Sequence, residues 1–254
     1  MTHTGIISLI LIVITAIVSY KGFTNPSFFE QYKFQVEKVL VNREYYRLLT
    51  SGFLHVSWIH LVFNMISLFL FSGLVEGTLG GLNFLIIYGA SLVGGGLLSL
   101  MIHRYEGGYT SVGASGAVCG IMFASVVLYP GMGIGFFLIP LFIPNYIYAV
   151  IFVLYSIYGI RSRKDNVGHD AHLGGALVGM TSACVMAPEA LLENYWIVLI
   201  IAAPIIVFIY LIANRPHLLF VNKLFKPRTD YYSIDHKFNA DRSVRQQEVD
   251  RILE

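Results

Sequence analysis

The sequence predicts an all-α membrane protein, a polytopic bundle of seven transmembrane helices. Of its 254 residues, 56% are hydrophobic and only 13% are charged, and the mean hydropathy is +0.68. Soluble domains carry about 25% charged residues, so lipid must be part of the solvent. The uncharged stretches are long enough to cross a bilayer, and the basic residues are confined to one side of the predicted bundle.

Seven stretches define the predicted spans, because about 20 apolar residues cross a hydrocarbon core of about 30 Å. The long uncharged stretch 107–160 holds two of them, separated by a connection rich in glycine and proline. In chain order the predicted spans cover residues 5–20, 58–75, 82–102, 113–129, 145–160, 171–187 and 195–213.

The first and last predicted spans each have a distinctive sequence feature. The first resembles the core of a signal peptide, but no Lys or Arg precedes it and no small-residue cleavage site follows, so we expect it to be retained. In the seventh span, Pro204 predicts a kink.

The chain becomes polar and charged after the seventh span. We predict a transmembrane domain over residues 1–220 and a polar tail over 221–254. Within the tail, Val249, Ile252 and Leu253 have helical spacing, which favours a short amphipathic helix.

The basic residues indicate how the bundle lies in the membrane. All 17 Lys and Arg fall on one side of the seven predicted spans, and the other side carries only Glu76, Glu189 and Glu193. The positive-inside rule places the basic side in the cytoplasm. We therefore expect a multi-pass protein of a bacterial cell membrane, in contact with lipid.

Several function classes have no support. The sequence has no phosphate-binding glycine loop and no zinc-finger spacing, and nothing in it suggests nucleic-acid binding. Cys119 and Cys184 lie in apolar runs and are interpreted as free buried thiols. We expect no cofactor and no resident metal.

Polar residues occur at the beginnings of three predicted spans, and such residues in membrane helices mark function by default. His60 and Asn64 lie four apart in the second span, on one helix face. Ser115 begins the fourth span and His172 begins the sixth. Because these three spans run in the same direction, we expect the four side chains to lie at similar depth.

These residue types predict nucleophilic catalysis. A serine hydroxyl needs a base within about 2.6–3.2 Å to accept its proton, and His172 is the obvious base. Such closeness requires small residues between helices, which the chain supplies as two pairs, Gly116 with Gly120 and Gly175 with Gly179. The Ser115 N–H, the Asn64 amide and the His60 ring are candidate oxyanion donors.

Each of these features also has a structural explanation. Glycine pairs in membrane helices mostly serve packing, and Asn64 could simply join two helices. His55, His103 and His169 lie near helix ends, where histidines are commonly interfacial, so a structural role is favoured for each.

Taken together, the motifs resemble those of the rhomboid family of intramembrane serine proteases, over roughly residues 44–180. The run from Glu44 to His55, followed by His60, Asn64, Glu76 and Gly80, is similar to that family's second-helix signature. Its nucleophile and base motifs are matched by Gly113-Ala-Ser115-Gly116 and by Ala171-His172-Leu-Gly174-Gly175.

The resemblance implies a Ser115–His172 dyad without a catalytic carboxylate, and an oxyanion site formed with His60 and Asn64. It implies a six-helix core with one appended C-terminal helix, and substrates that are transmembrane segments with helix-weakening residues, admitted laterally past the fifth span. No cofactor is implied. The structural residues it implies are Arg47, Glu76, Gly113, Gly116 and Gly175.

Three departures from the family pattern stand out. An aromatic residue commonly follows the nucleophile by four positions and stacks on the base, but that position is Cys119 here. Tyr46 precedes Arg47 where tryptophan is usual. The family core usually carries its catalytic side away from the cytoplasm, whereas the charge bias favours a cytoplasm-facing site, so the orientation stays open.

Two other functions compete with a protease. One is a non-catalytic relative that binds membrane clients, although such relatives usually lack the nucleophile or the base. The other is a metal site or transporter, for which the sequence lacks the His-Glu-x-x-His pattern of zinc proteases and which would use His55, His60, His169, Asp170 and His172. The natural substrate and the oligomeric state are not predicted.

Overall fold

The computed structural model describes residues 5–136, 139–162 and 165–214. The polar tail predicted over 221–254, with its amphipathic helix, lies outside these residues. Among the described residues the α-helices are α1 (Ile6–Thr24), α2 (Pro26–Tyr32), α3 (Val36–Leu40), α4 (Arg47–Thr50), α5 (Trp58–Leu79), α6 (Gly81–His103), α7 (Ser115–Leu128), α8 (Asn145–Ser162), α9 (His169–Met186) and α10 (Pro188–Asn214).

A helix occupies each stretch predicted as a span. Four of the described helices, α1, α5, α6 and α10, are long and apolar enough to cross a membrane by length and composition. Helix α7 is apolar but shorter, with 14 residues. The helical membrane architecture is therefore confirmed, whereas the count of seven crossings remains a prediction.

Helices α6, α7 and α9 form the centre of the bundle, where glycines let their backbones touch. A Cβ on Gly175 of α9 would overlap the carbonyl of Gly116 on α7, and a Cβ on Gly179 would overlap the backbone of Gly120. A Cβ on Gly174 would lie 2.7 Å from the carbonyl oxygen of Gly94 on α6. Helix α7 is consequently buried on every side from Gly116 to Val127.

Helices α1 and α8 lie outside this centre and each buries one face. On α8 the buried residues recur at helical spacing and include Asn145, Ala149, Val153 and Ser156, while Leu154 is exposed. An apolar surface of this kind suits contact with lipid tails on the outer side.

Local sequence explains where several helices begin and end. Asn25 caps α2, with its side-chain oxygen accepting a hydrogen bond from Phe28 N at 3.0 Å, and Pro26 takes the first helical position. The Ser57 hydroxyl caps α5 by accepting from His60 N at 3.2 Å. Helix α5 ends at Gly80, whose φ of +83° suits glycine.

The seventh predicted span forms the second part of α10. The backbone leaves helical angles at Asn194, with φ −118° and ψ 18°, whereas Pro204 lies inside the helix. Asn194 also donates from its side chain to the carbonyl of Val127 at 3.2 Å. The local break in α10 is therefore found at Asn194 and is tied to the end of α7.

Two small antiparallel sheets connect the helices. Strand β1 (Phe34–Gln35) pairs with β2 (Thr110–Ser111) just before α7 begins. Strand β3 (Gly133–Phe136) pairs with β4 (Ile139–Pro144) at the opposite end of the bundle. The predicted glycine- and proline-rich connection is thus a hairpin, since several of its residues are β-branched or aromatic and favour extended backbone.

Arg47 holds together the segment before α5. Its buried guanidinium donates to the Glu44 carboxylate at 2.6 Å and to the carbonyls of Glu30 at 2.9 Å and Lys33 at 2.7 Å. The Arg47 hydrogen bond lowers the pKa of the Glu44 carboxyl. Tyr46 also donates to Glu44, at 3.0 Å, so the tyrosine before Arg47 is part of this cluster.

Glu76 attaches α1 to the far end of α5. Its two carboxylate oxygens accept hydrogen bonds from Ile7 N and Ser8 N, each at 2.9 Å. These N–H groups belong to the first turn of α1, which has no carbonyls of its own to satisfy them, and the positive end of the helix dipole favours the carboxylate.

Candidate active site

The predicted site residues surround one cavity at the basic end of the bundle. The cavity has a volume of about 1050 Å³, and its lining includes Ser115, His172, His60 and Asn64. These residues come from α7, α9 and α5. The second, fourth and sixth predicted spans therefore contribute residues to one shared cavity.

Gly113 fixes the approach of the chain to Ser115. Its φ of +128° is one that glycine adopts readily, and a Cβ there would lie 2.7 Å from Cε1 of His60. The Gly113 N–H donates to the carbonyl of Ser51 at 3.0 Å. The loop before α7 is thereby fitted against the His60 ring.

Ser115 is the first residue of α7, and His172 lies in the first turn of α9. Their neighbours in the chain meet, because a Cβ on Gly116 would lie 3.2 Å from the carbonyl oxygen of Ala171. The predicted glycine pairs thus bring together the two helix ends that carry the hydroxyl and the imidazole.

The imidazole of His172 is half-buried and is surrounded by rings. The Phe152 ring of α8 lies 5.8 Å away between centroids, with the planes inclined by 33°. The His169 ring lies 6.1 Å away at 80°. No hydrogen bond joins Ser115 and His172 among the described residues. Catalytic hydrogen bonds are often long before substrate binds and shorten in the complex with substrate.

His60 and Asn64 occupy the α5 side of the cavity. The Asn64 side chain is buried and donates from Nδ2 to the carbonyl of His60 at 2.9 Å. The buried Nδ1 atom of His60 has no hydrogen-bond partner among the described residues. The N–H groups in the first turn of α7 have no intrahelical carbonyl partners, and Ser115 and Gly116 of that turn line the same cavity.

The other three histidines in the described part of the chain, His55, His103 and His169, are each bonded to a partner. His55 is bonded through Nδ1 to the Ser19 hydroxyl at 2.8 Å, and its Nε2 accepts from Ala114 N at 3.4 Å. His169 Nε2 lies 3.2 Å from the Asp165 carboxylate, and this hydrogen bond lowers the pKa of Asp165. Such contacts fit the structural role favoured for these histidines.

His103 belongs to a cluster that the sequence did not predict. Its ring stacks on Tyr109 at 3.6 Å and bonds to Glu106 at 3.0 Å and to buried Asp170 at 3.1 Å. The cluster fastens the end of α6 to the beginning of α9, two residues before His172. Asp170 lies more than 60 residues from the other members in sequence, so local spacing does not reveal its place in the cluster.

In the part of the chain that the structure describes, no group of three or more His, Cys, Asp or Glu side chains is placed to hold a metal ion. Cys119 is buried on α7 as a free thiol, and Cys184 is a partly buried free thiol on α9.

Phe152 is the neighbour of His172 that sequence reasoning missed. It lies in an apolar helix in which many aromatic side chains look alike. The one available signal was negative, namely the small residue Cys119 where an aromatic is common. That signal indicates that a ring is missing, but not which helix supplies one.

The class of protein follows from two features. The chain is a polytopic helical bundle, and its cavity is lined by serine, histidine and asparagine residues near the beginnings of three helices. A family model for the rhomboid domain matches residues 42–189, and the chain therefore belongs to the rhomboid family. With its apolar helices, it is an integral membrane protein. A second model, for a family of unknown function (DUF6576), matches residues 232–254.

Relatives come from bacteria and from mitochondria. The chain is 31% identical over 147 residues to RHOMBOID-like protein 12, mitochondrial, of Arabidopsis thaliana, covering 52% of this chain and 43% of that protein. It is 29% identical over 170 residues to rhomboid protease GluP of Bacillus subtilis, covering 66% and 32%. Identity to rhomboid protease AarA of Providencia stuartii is 29% over 208 residues, covering 69% and 70%. Two of these three relatives are thus matched over less than half their length.

Proposed function

We propose that this protein is an intramembrane serine endopeptidase that cleaves transmembrane segments of other membrane proteins through a Ser115–His172 dyad. The observation that carries the proposal is that both side chains line one cavity, on helix starts brought into contact at Gly116 and Ala171. Relatives named as rhomboid proteases support the same reaction class.

The chemistry follows from the residue types. The Ser115 Oγ adds to the scissile carbonyl carbon while its proton passes to the His172 imidazole. His172 then returns that proton to the leaving amide nitrogen as the C–N bond breaks. A water molecule, deprotonated by His172, hydrolyses the acyl-enzyme, and the proton goes back to Ser115.

The oxyanion of each tetrahedral intermediate needs donors placed before the reaction begins. The Ser115 N–H, the His60 ring and the Asn64 amide are the candidates, and each such donor contributes about 3 kcal/mol to the transition state. The amide of Asn64 has two N–H groups, so the bond to the His60 carbonyl leaves one of them available.

The proposal extends to the membrane arrangement. We infer a transmembrane protease domain over residues 1–220 with seven crossings, and a polar tail over 221–254. The Lys and Arg distribution favours a cytoplasm-facing cavity. Substrates reach the cavity laterally past α8. The helices that form the site are held in place by Arg47, Glu76, Gly113, Gly116 and Gly175.

Labelling with a serine-directed fluorophosphonate, followed by mapping of the modified residue, tests nucleophilicity and position together. We expect Ser115 to be modified. Ser115→Ala should abolish both labelling and cleavage of a transmembrane substrate, while leaving thermal unfolding in detergent unchanged. Ser27→Ala, which changes an exposed serine of α2 outside the cavity lining, serves as the matched control and should remain active.

Cleavage that persists in Ser115→Ala would overturn the proposal. A folded protein that binds transmembrane segments but neither labels nor cleaves would instead be a non-catalytic client-binding relative.

The pH dependence of cleavage tests the base. His172 accepts a proton only while it is neutral, so the rate should fall once the pH is low enough to protonate its imidazole. The measurement is kcat/KM against pH in a detergent in which the protein stays folded. A rate that stays constant down to the lowest pH at which the protein remains folded contradicts His172 as the base.

A further inference from the structure

Cys119 lies where an aromatic residue would support the base. Ser115, Cys119 and Phe123 are spaced four residues apart on α7, so they share one helix face. A large ring at position 119 would stand one turn below Ser115. The small, buried Cys119 leaves this position without a ring.

Phe152 approaches the same region from α8. Its ring centroid lies 5.8 Å from that of Phe123 on α7, in a T-shaped arrangement at 60°, and 5.8 Å from that of His172 on α9. One side chain therefore contacts both inner helices. The Phe152 ring is thus a neighbour both of His172 and of Phe123, which lies one turn beyond Cys119 on the same face of α7.

We propose that Phe152 is the positioning residue for His172, supplying from α8 the aromatic support that α7 lacks at Cys119. This inference rests on the proposed function. Aromatic rings with centroids 4.5–7 Å apart attract each other in preferred orientations, so the Phe152 ring restricts rotation of the imidazole. The base is thereby held toward the cavity and Ser115.

The location of Phe152 on α8 has a consequence for substrate access. Helix α8 is attached through side chains, whereas α7 and α9 touch through their backbones. Displacement of α8 would withdraw the ring from His172, so the orientation of the base depends on the position of the helix that substrates pass.

The test compares variants that remove the ring or move it. Phe152→Leu keeps an apolar side chain but removes the ring, and we expect kcat and the rate of fluorophosphonate labelling at Ser115 to fall about 3- to 10-fold, with KM changed less than about 2-fold. Phe152→Tyr keeps the ring and should retain kcat near that of the wild type. Tyr158→Leu removes an exposed ring from the same helix and is the matched control.

A double variant tests position rather than packing. Cys119→Phe combined with Phe152→Ala returns a ring to the site from α7, and it should exceed Phe152→Ala alone in both kcat and labelling rate. Thermal unfolding of every variant shows whether a loss of rate follows a loss of folded protein.

Wild-type kcat and labelling rate in Phe152→Leu would overturn the inference, as would a double variant no faster than Phe152→Ala. Ser115→Ala in the same assay separates the two proposals. Cleavage by Ser115→Ala rejects the protease itself, whereas an inactive Ser115→Ala beside a fully active Phe152→Leu rejects only the role of Phe152.

Discussion

The inner helices α6, α7 and α9 and the outer helices α1 and α8 are held in different ways. The inner helices meet through glycine, so that carbonyl oxygens and α-carbons of neighbouring helices touch. The outer helices are joined to the bundle by individual side chains, among them Glu76 for α1 and aromatic rings for α8. Ser115 and His172 both lie on inner helices.

This difference makes the inner helices rigid and leaves the outer helices easier to displace. Contact between backbones leaves little space for rearrangement, since packed interiors do not deform continuously. Side-chain contacts can break one at a time at a cost of about 1 kcal/mol each. The proposed protease would need fixed catalytic groups and a route for a substrate helix, and a rigid centre with a separable edge meets both needs.

The largest expected effect comes from adding volume at the inner contact. Gly179→Leu places a branched side chain where even a Cβ would overlap the backbone of Gly120. We expect loss of cleavage and destabilisation of about 3 kcal/mol or more, because the two helices must separate. Thermal unfolding and the cleavage assay measure both effects.

Gly89→Ala is the matched control within the inner helices. Nothing lies within 4 Å of a Cβ at Gly89 on α6, so alanine should be neutral or stabilise by up to about 1 kcal/mol. Equal damage from both substitutions would remove the distinction that we draw between close and open glycines.

A smaller effect is expected where α1 meets α5. Glu76→Gln removes the charge and one of the two acceptors for Ile7 N and Ser8 N, and should cost about 1.5 kcal/mol in the free energy of unfolding. Cleavage should persist, since Glu76 lies at the end of α5 opposite the cavity. Glu193→Gln neutralises an exposed carboxylate at that end and should leave stability unchanged. A loss of activity without a loss of stability in Glu76→Gln would show that this attachment reaches the site.

The smallest effect is expected at the attachment of α8 to α10. Trp196 and Tyr146 form a T-shaped ring pair with centroids 6.0 Å apart. Trp196→Ala should lower stability by about 0.5–1.5 kcal/mol. It should also lower KM for a transmembrane substrate, because α8 becomes easier to displace, while kcat falls slightly because the Phe152 ring is held less firmly beside His172. Tyr210→Ala, an exposed aromatic on α10, is the control. An unchanged KM in Trp196→Ala would contradict the view of α8 as the movable edge.

Much of the candidate site could be predicted from local patterns. The spacing of His60 and Asn64 and the positions of Ser115 and His172 at helix starts predict a common depth, and the cavity contains all four. Gly116 and Gly175 were predicted to bring two helices together, and the structure places them in contact. These features succeed because each depends on helical periodicity within one span.

The sequence did not predict features that depend on distant partners. The pairing of β1 with β2, the His103 cluster and the approach of Phe152 to His172 join segments far apart in the chain. The break at Asn194 is similar, since that side chain bonds to the end of α7. An apolar span shows which residues meet lipid or protein, but not which neighbour each side chain meets.

The sequence by itself determined the membrane class, the helical stretches and the residues that we propose for acyl transfer, because hydropathy, periodicity and residue chemistry are local properties. The tertiary structure decided that the ring beside His172 comes from α8 rather than from position 119. The physical reason is that the space left by a small side chain is filled by whichever neighbouring helix can reach it, and only the packed bundle specifies that neighbour.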